Sequence, residues 1–165
     1  MSLTAPTTHT AIPLGPAELG AWRGMLRVHS ALIRDLDAEL EREHGLPLSS
    51  YEVLLNLAGR PDARMRMSEL ADSVLLSRSG CTRLVDRLQR EGLVTRDECP
   101  RDARGAYAVI TEAGLERFRA AQVTHLEGVR ERFTSRFSEE ELEQLGTLWD
   151  RIVPGASGRE PACGG

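Results

Sequence analysis

The chain has no lysine, few aromatic residues and no long apolar run. Its 21 basic residues, all arginine, stand against 25 acidic ones, so the formal net charge is −4 and the overall composition does not point to a nucleic-acid partner. No stretch approaches the roughly 18 apolar residues of a membrane span. The N-terminal segment also lacks the basic and apolar parts of a secretion signal. These absences predict a cytoplasmic protein in which any DNA binding must come from local charge.

Cysteine and histidine are too scattered to suggest a metal site. Cys81, Cys99 and Cys163 lie far apart, and the four histidines form no zinc-binding spacing with them. For Cys81 burial in the core is a simpler interpretation than a redox role, and for the other two no function is the simpler one. The chain also lacks the GxSxG, P-loop, HExxH and GxGxxG patterns of common enzymes. We therefore expect no metal, no cofactor and no enzymatic activity.

Apolar periodicity in the first half of the chain predicts helices. A three- and four-residue spacing predicts one long helix from Pro16 to about His44. Ser49, with a glutamate three residues later, predicts a capping box at the start of the next helix. Segment 59–66, "GRPDARMR", is expected to be a loop, and Ser68 is expected to cap a further short helix.

The second half predicts a hairpin followed by two more helices. Two β-prone runs, 93–98 and 106–111, are joined by a polar turn that contains proline and glycine. Thr111 is expected to cap the next helix, and Ser138 is expected to open the last helix with a second capping box. The fold class is therefore mainly α with a small β-hairpin.

The central stretch "VLLSRSGCTRLVDRLQREGLVTR", from Val74 to Arg96, concentrates arginine and small hydroxyl residues on one helix. At about 100° per residue, the polar side chains fall within a sector of about 140°, opposite an apolar side with two leucines. Such residues reach base edges and phosphates in a major groove. The competing interpretation is a solvated helix face, since residues 78–104 hold seven arginines against five acidic residues. The polar sector comprises Arg78, Ser79, Thr82, Arg83, Asp86 and Arg90.

Two short helices, a tight turn and then a hairpin are typical of a winged helix-turn-helix. The run "MSELADSVLLSRSGCTRLVDRLQREGLVTRDECPRDARGAYAVITEAG", Met67 to Gly114, resembles the winged-helix core of the MarR family of transcriptional regulators. The matches are "ELA" in the first short helix, the "SRSGxTRLVDRLxRxGLVxR" run, and Asp102 and Arg104 in the wing. Single items are weak evidence, but the whole run at these spacings is specific.

The resemblance implies a homodimeric regulator, most simply a repressor, that binds double-stranded DNA at a palindromic operator. It places Ser79, Thr82 and Arg83 in the major groove and Arg104 in the minor groove, where the negative potential of a narrow groove favours arginine. Arg96 and Asp102 are expected to support the wing. The remaining candidate DNA contacts are Arg78, Arg87, Arg90 and Arg101.

The resemblance also defines the expected domain organisation. Composition predicts unstructured tails on both sides of one MarR-like domain, whose terminal helices would form the dimer. The expected ranges are 1–14 for the N-terminal tail, 15–153 for the domain, 16–44 and 112–153 for the dimerisation helices, about 48–111 for the winged helix-turn-helix, and 154–165 for the C-terminal tail.

Many members of the family bind a small, often phenolic or anionic, effector that releases the DNA. The candidate pocket residues in this chain are Trp22, His29 and Tyr51, with Arg27 as a partner for a carboxylate. Packing in the core or at a dimer interface is the simpler interpretation for the first three. The identity of an effector does not follow from the sequence.

A winged-helix module that binds a protein instead of DNA is the alternative function. The mildly positive local charge allows it. Alanine at Arg83 and at Arg104 separates the two hypotheses, because partner binding that survives both substitutions would exclude the DNA hypothesis.

Overall fold

The computed structural model describes residues 13–74, 76–98 and 106–158 and is mainly helical with one small sheet. The chain divides within its first helix into two compact units, residues 1–31 and 32–165. None of the described helices has the length and apolar character needed to cross a membrane. The elements are α1 (Pro16–His44), α2 (Leu48–Ala58), β1 (Arg64–Arg66), α3 (Met67–Ser73), α4 (Arg78–Arg90), β2 (Val94–Glu98), β3 (Ala106–Ile110), α5 (Glu112–Arg132) and α6 (Glu139–Ile152).

In the first unit, the described residues consist mainly of the N-terminal part of α1. The helix begins at Pro16, as predicted, because proline lacks the N–H that a first helical position leaves unused. The Glu18 carboxylate accepts a hydrogen bond of 2.6 Å from the backbone N–H of Gly15 and so satisfies one donor at the helix start. Trp22 and Leu26 are exposed along this part of the helix.

In the second unit, the sheet is antiparallel and has three strands in the order β1-β3-β2. The predicted hairpin is confirmed, with Val94 opposite Ile110 and Arg96 opposite Ala108. The prediction of a loop over 59–66 is wrong at its end, because β1 pairs with β3 through Met65 and Ala108. Its single inward side chain, Met65, is buried, and a three-residue strand is too short to show an alternating pattern.

The core of the second unit lies between α2, α3, α4, the sheet and α5. It is built mostly of leucine, valine and alanine, and the burial of such apolar side chains is the main favourable term in folding. Cys81 belongs to this core, as the helical projection predicted. The largest fully buried side chains include Leu40, Leu46, Leu54, Leu57, Leu70, Leu88, Val53, Val85 and Val94.

Two of the four predicted helix caps are confirmed and two are wrong. Thr111 accepts a hydrogen bond from the Gly114 N–H at the start of α5, and Ser138 forms the predicted capping box of α6. By contrast, α2 begins at Leu48, so Ser49 lies inside the helix, and α3 begins at Met67, so Ser68 does as well. Neither N-cap residue, Pro47 or Arg66, caps its helix with a side-chain hydrogen bond. At the start of α2, the Leu48 N–H instead donates to the Asp37 carboxylate over 2.8 Å.

Glycine is required where α5 packs against the end of α4. The carbonyl of Leu93 accepts a hydrogen bond of 3.1 Å from the Thr111 N–H. The backbone of Gly114 passes so close to that carbonyl that a Cβ there would clash with it, and would also lie 2.9 Å from Ile110 Cγ1. One residue before Leu93, Gly92 adopts a φ of 73°, a left-handed conformation that ends α4 and leads into β2.

A short turn separates the two C-terminal helices. Helix α5 stops at Arg132, and a 3₁₀ turn over Thr134–Arg136 precedes α6, with the Phe133 and Phe137 rings in edge-to-face contact. The C-terminal tail was predicted to be unstructured from residue 154. Residues 154–157 instead form a turn, and the Ser157 hydroxyl donates to the Asp150 carboxylate over 2.6 Å.

Candidate nucleic-acid interface

Helix α4 has one buried and one exposed side, as the helical projection predicted. The buried side comprises Cys81, Leu84, Val85 and Leu88, which anchor the helix to the core. On the opposite side, Arg78, Ser79, Thr82, Arg83 and Arg90 are exposed. Because the apolar side fixes the rotation of the helix, the polar side has a defined orientation outward.

The first turn of α4 is held by local hydrogen bonds. Ser77 is the N-cap, and its hydroxyl accepts from the Gly80 N–H over 3.1 Å. The Thr82 hydroxyl donates to the Arg78 carbonyl over 2.9 Å, one turn back in the same helix. The start of the helix therefore presents hydroxyl groups close to its positive dipole end, an arrangement that suits a phosphate.

Two of the exposed arginines are available for an external partner. Within the described parts of the chain, the guanidinium groups of Arg78 and Arg83 form no hydrogen bond or ion pair. Arg83 also borders a shallow depression of about 340 Å³ that Gly80 and Leu84 line as well. Arg90 does form an internal hydrogen bond, a long one in which its Nε donates to the Asp86 carbonyl over 3.3 Å. The Arg78 and Arg83 groups can reach a phosphate or a base edge without first breaking an internal bond.

Arg87, also predicted to contact DNA, forms bonds within the protein, with 40% of its side chain exposed. Its guanidinium donates a hydrogen bond to the hydroxyl of Ser50 in α2, and it lies 3.9 Å from the Glu91 carboxylate. Ser50 is only 1% exposed and is the one buried polar residue of the described core. The structure thus gives Arg87 a packing role between α2 and α4, which its helical position at the border of the apolar side could have indicated.

Arg96, predicted to support the wing, bonds to the helix α4. Its guanidinium lies 2.8 Å from an Asp86 carboxylate oxygen and donates to the Thr82 carbonyl over 3.3 Å. The other wing residues predicted to contact DNA or to support the wing lie outside the described residues, and their roles stay predictions. They are Arg101, Asp102 and Arg104.

Of the residues predicted to bind an effector, Tyr51 is buried in an aromatic cluster of the second unit. Its ring stacks on Phe118 at a centroid distance of 5.5 Å and meets the His125 ring at 4.6 Å. Core packing therefore accounts for Tyr51. The other three candidates belong to the first unit, where they are exposed on α1, and their predicted role in a pocket is untested. They are Trp22, Arg27 and His29.

The same cluster predicts a pH dependence of stability. Burial lowers the pKa of His125 below its ordinary value of 6.5. The unfolded chain then binds the proton more readily than the folded one, so stability falls as the pH drops below about 6.5. We expect His125→Gln to flatten this part of the dependence, as measured by thermal unfolding between pH 8 and pH 5. An equal loss of stability in both proteins over this range would contradict the assignment.

The described residues contain neither a cluster of metal ligands nor an exposed thiol. No group of three histidine, cysteine or acidic side chains within residues 13–74, 76–98 and 106–158 could hold a metal ion. Cys81 is buried, and burial raises the pKa of its thiol, which disfavours the reactive thiolate. Cys99 and Cys163 lie outside the described residues.

Helices α3 and α4, followed by the β2–β3 hairpin, define the class of protein. Two helices joined by a short turn, with the second exposing its polar side and a hairpin following it, make a winged helix-turn-helix domain. Long helices precede and follow this domain in the chain.

Comparisons with known proteins agree with this class. A family model described as "MarR family" matches residues 44–105. The regulator MhqR of Bacillus subtilis is 30% identical over 110 residues, which cover 67% of this chain and 74% of MhqR. The homoprotocatechuate degradative operon repressor of Escherichia coli is 26% identical over 119 residues, or 72% of this chain and 78% of that protein.

A solved structure is similar over almost the whole chain. The crystal structure of Sco3205, a MarR family transcriptional regulator from Streptomyces coelicolor in complex with DNA, matches with a TM-score of 0.82 and 34% identity. The match covers 94% of this chain and 96% of Sco3205. The chain therefore belongs to the MarR family. It is a transcriptional regulator and not an enzyme, as the sequence motifs predicted.

Proposed function

We propose that the protein is a homodimeric repressor that reads a palindromic operator with the exposed side of α4. The observation that carries this proposal is the pair of arginines on that side, Arg78 and Arg83, whose guanidinium groups form no bond within the described residues. The similar protein Sco3205 was crystallised with DNA, which supports the same use of the domain here. Operator binding would place the protein in the cytoplasm with the chromosome.

The proposed contacts divide into two groups. Ser79, Thr82 and Arg83 near the start of α4 would read base edges, since hydroxyl and guanidinium groups are suited to the major groove. Arg78 and Arg90 would bind phosphates and fix the position of the helix on the duplex. The wing tip would add Arg101 on the backbone and Arg104 in the minor groove.

A dimer is supported by apolar side chains that the second unit leaves exposed. On α6, Leu148 and Trp149 are 46% and 38% exposed, and Ile152 is 70% exposed. On α5, Val123 and Leu126 are exposed as well. Clusters of large apolar residues on exposed helices mark interaction surfaces, and a second copy of the chain is the partner that a palindromic operator requires.

The proposed function includes repression of transcription and release of the operator by a small molecule. The similar homoprotocatechuate degradative operon repressor supports a repressor role. A small molecule would release the operator if it bound more tightly to a dimer whose two recognition helices are wrongly spaced.

The proposal is tested by footprinting the purified protein on the DNA upstream of its own gene. We expect protection of one two-fold symmetric site whose half-sites lie about 34 Å apart, one helical turn. A single protected half-site would contradict the dimer. If no upstream fragment is protected and both Arg83→Ala and Arg104→Ala leave the binding of a partner protein intact, the domain is a protein-interaction module instead.

A further inference from the structure

Strand β2, which leads into the wing, contacts helix α4 through the side chain of Arg96. Val94 and Arg96 share a face of β2, and Val94 is fully buried on it, so Arg96 starts on the inner side of the sheet. Its partner across the sheet, Ala108, is buried too and leaves space above it. The guanidinium therefore extends from the inner face of the sheet towards α4.

On α4, this guanidinium holds two groups one turn apart. It lies 2.8 Å from Asp86 Oδ1 and 3.3 Å from the carbonyl oxygen of Thr82, which precedes Asp86 by four residues. Residues four apart lie on the same side of a helix, so one planar donor group can reach both. The contact is partly exposed to solvent, with 29% of the Arg96 side chain accessible.

Asp86 is an acidic residue on a side of α4 that otherwise presents arginine and hydroxyl groups. It lies in the polar sector of α4, between Thr82 and Arg90, and its side chain is 47% exposed. An uncompensated carboxylate there would face the phosphates of a bound duplex, and like charges at such a contact disfavour binding. The one cation within ion-pair distance of Asp86 among the described residues is Arg96.

We propose that Arg96 is a positioning residue for DNA recognition, which neutralises Asp86 and fixes α4 to the strand that carries the wing without contacting DNA itself. The inference rests on the proposed function. It differs from support of the wing alone, because the groups that Arg96 holds belong to the helix that reads the bases. One side chain then sets the relative position of the two DNA-reading elements.

The test compares Arg96→Gln, Asp86→Asn and the double variant for binding to the operator and to scrambled DNA over a salt series. Arg96→Gln should lose about tenfold or more of its preference for the operator, because it exposes a lone carboxylate and releases the helix. The slope of log affinity against log salt should stay as in the wild type, since no phosphate contact is lost. Adding Asp86→Asn should recover much of the preference, because the carboxylate is then gone.

A residue that contacted a phosphate would behave differently. Its loss would reduce the slope of log affinity against log salt by about 1 and weaken binding to operator and scrambled DNA alike. Adding Asp86→Asn would not restore the binding. That pattern, or an Arg96→Gln variant as selective as the wild type, would overturn the inference. Arg60→Gln, which removes an exposed arginine from the loop after α2, is the control for the change in net charge and should match the wild type.

Two further results keep the interpretation unambiguous. Arg96→Lys keeps the positive charge that neutralises Asp86 but not the planar donor group that also reaches Thr82, so it should lose less of the preference than Arg96→Gln. An equal loss in the two variants would overturn the inference. If Arg96→Gln does not fold, Arg96→Lys replaces it, and a loss of about tenfold or more would then overturn the inference. A wild-type protein that does not prefer its operator would overturn the proposed function and this inference together. A selective wild type with an equally selective Arg96→Gln variant would overturn this inference alone.

Discussion

Replacing Gly114 with alanine should lower the thermal unfolding midpoint by about 5–10 °C, the shift expected from a loss of roughly 2–3 kcal/mol in a chain of this size. The new Cβ would clash with the Leu93 carbonyl, which is backbone and cannot turn away as a side chain could. Relief would require α5 to move from the end of α4. The Thr111 N–H would then lose its bond to the same carbonyl. Differential scanning calorimetry measures the change directly.

Gly24→Ala is the matched control for this substitution. Gly24 lies in α1, where an added Cβ would meet nothing within 4 Å, so alanine gains helix propensity there without a clash. The midpoint of this variant should equal or exceed that of the wild type. A Gly114→Ala protein as stable as Gly24→Ala would contradict the close approach of α5 to Leu93.

Arg83→Ala should weaken binding to the operator by about tenfold to a hundredfold, which corresponds to about 1–3 kcal/mol for a lost bidentate contact to a base. Arg83 is exposed on the polar side of α4 and its guanidinium bonds to nothing else among the described residues, so the substitution removes no internal contact. The thermal midpoint should therefore stay within about 1 °C of the wild type. Fluorescence anisotropy with labelled operator DNA gives the affinity.

The controls for Arg83 separate base reading from charge. Arg60→Ala also removes an exposed arginine, in the loop after α2, and should leave operator affinity unchanged. Binding of Arg83→Ala to scrambled DNA should weaken less than binding to the operator, because base contacts carry the sequence preference. An equal loss on both DNAs would instead assign Arg83 to the phosphate backbone.

Local sequence signals were sufficient to predict most of the fold. The start of α1 at Pro16, the caps at Thr111 and Ser138, and the β2–β3 hairpin each depend on residues close together in the chain. The rotation of α4 also followed from spacing alone, since its apolar side chains repeat at helical intervals. These features are set by short-range geometry, which a single sequence contains.

The features that the sequence did not reveal depend on contacts between distant segments. Strand β1 exists because it pairs with β3, more than 40 residues later, and its own three residues have no strand pattern. The engagement of Arg87 by Ser50 depends on where α2 packs, and the bonds of Arg96 depend on which face of β2 is inward. For Arg87, the residue type suggested a DNA contact, which stays a prediction, and the sequence did not reveal its internal partner Ser50.

The central claim is that the exposed side of α4 gives this acidic chain sequence-specific DNA binding. Its most direct test is fluorescence anisotropy of the wild-type protein on DNA from upstream of its own gene and on scrambled DNA, over a series of salt concentrations. We expect at least about 1000-fold preference for the upstream site and a salt slope that corresponds to several phosphate contacts. Equally weak binding to both DNAs, repeated with fragments that tile the neighbouring promoters, would contradict the claim.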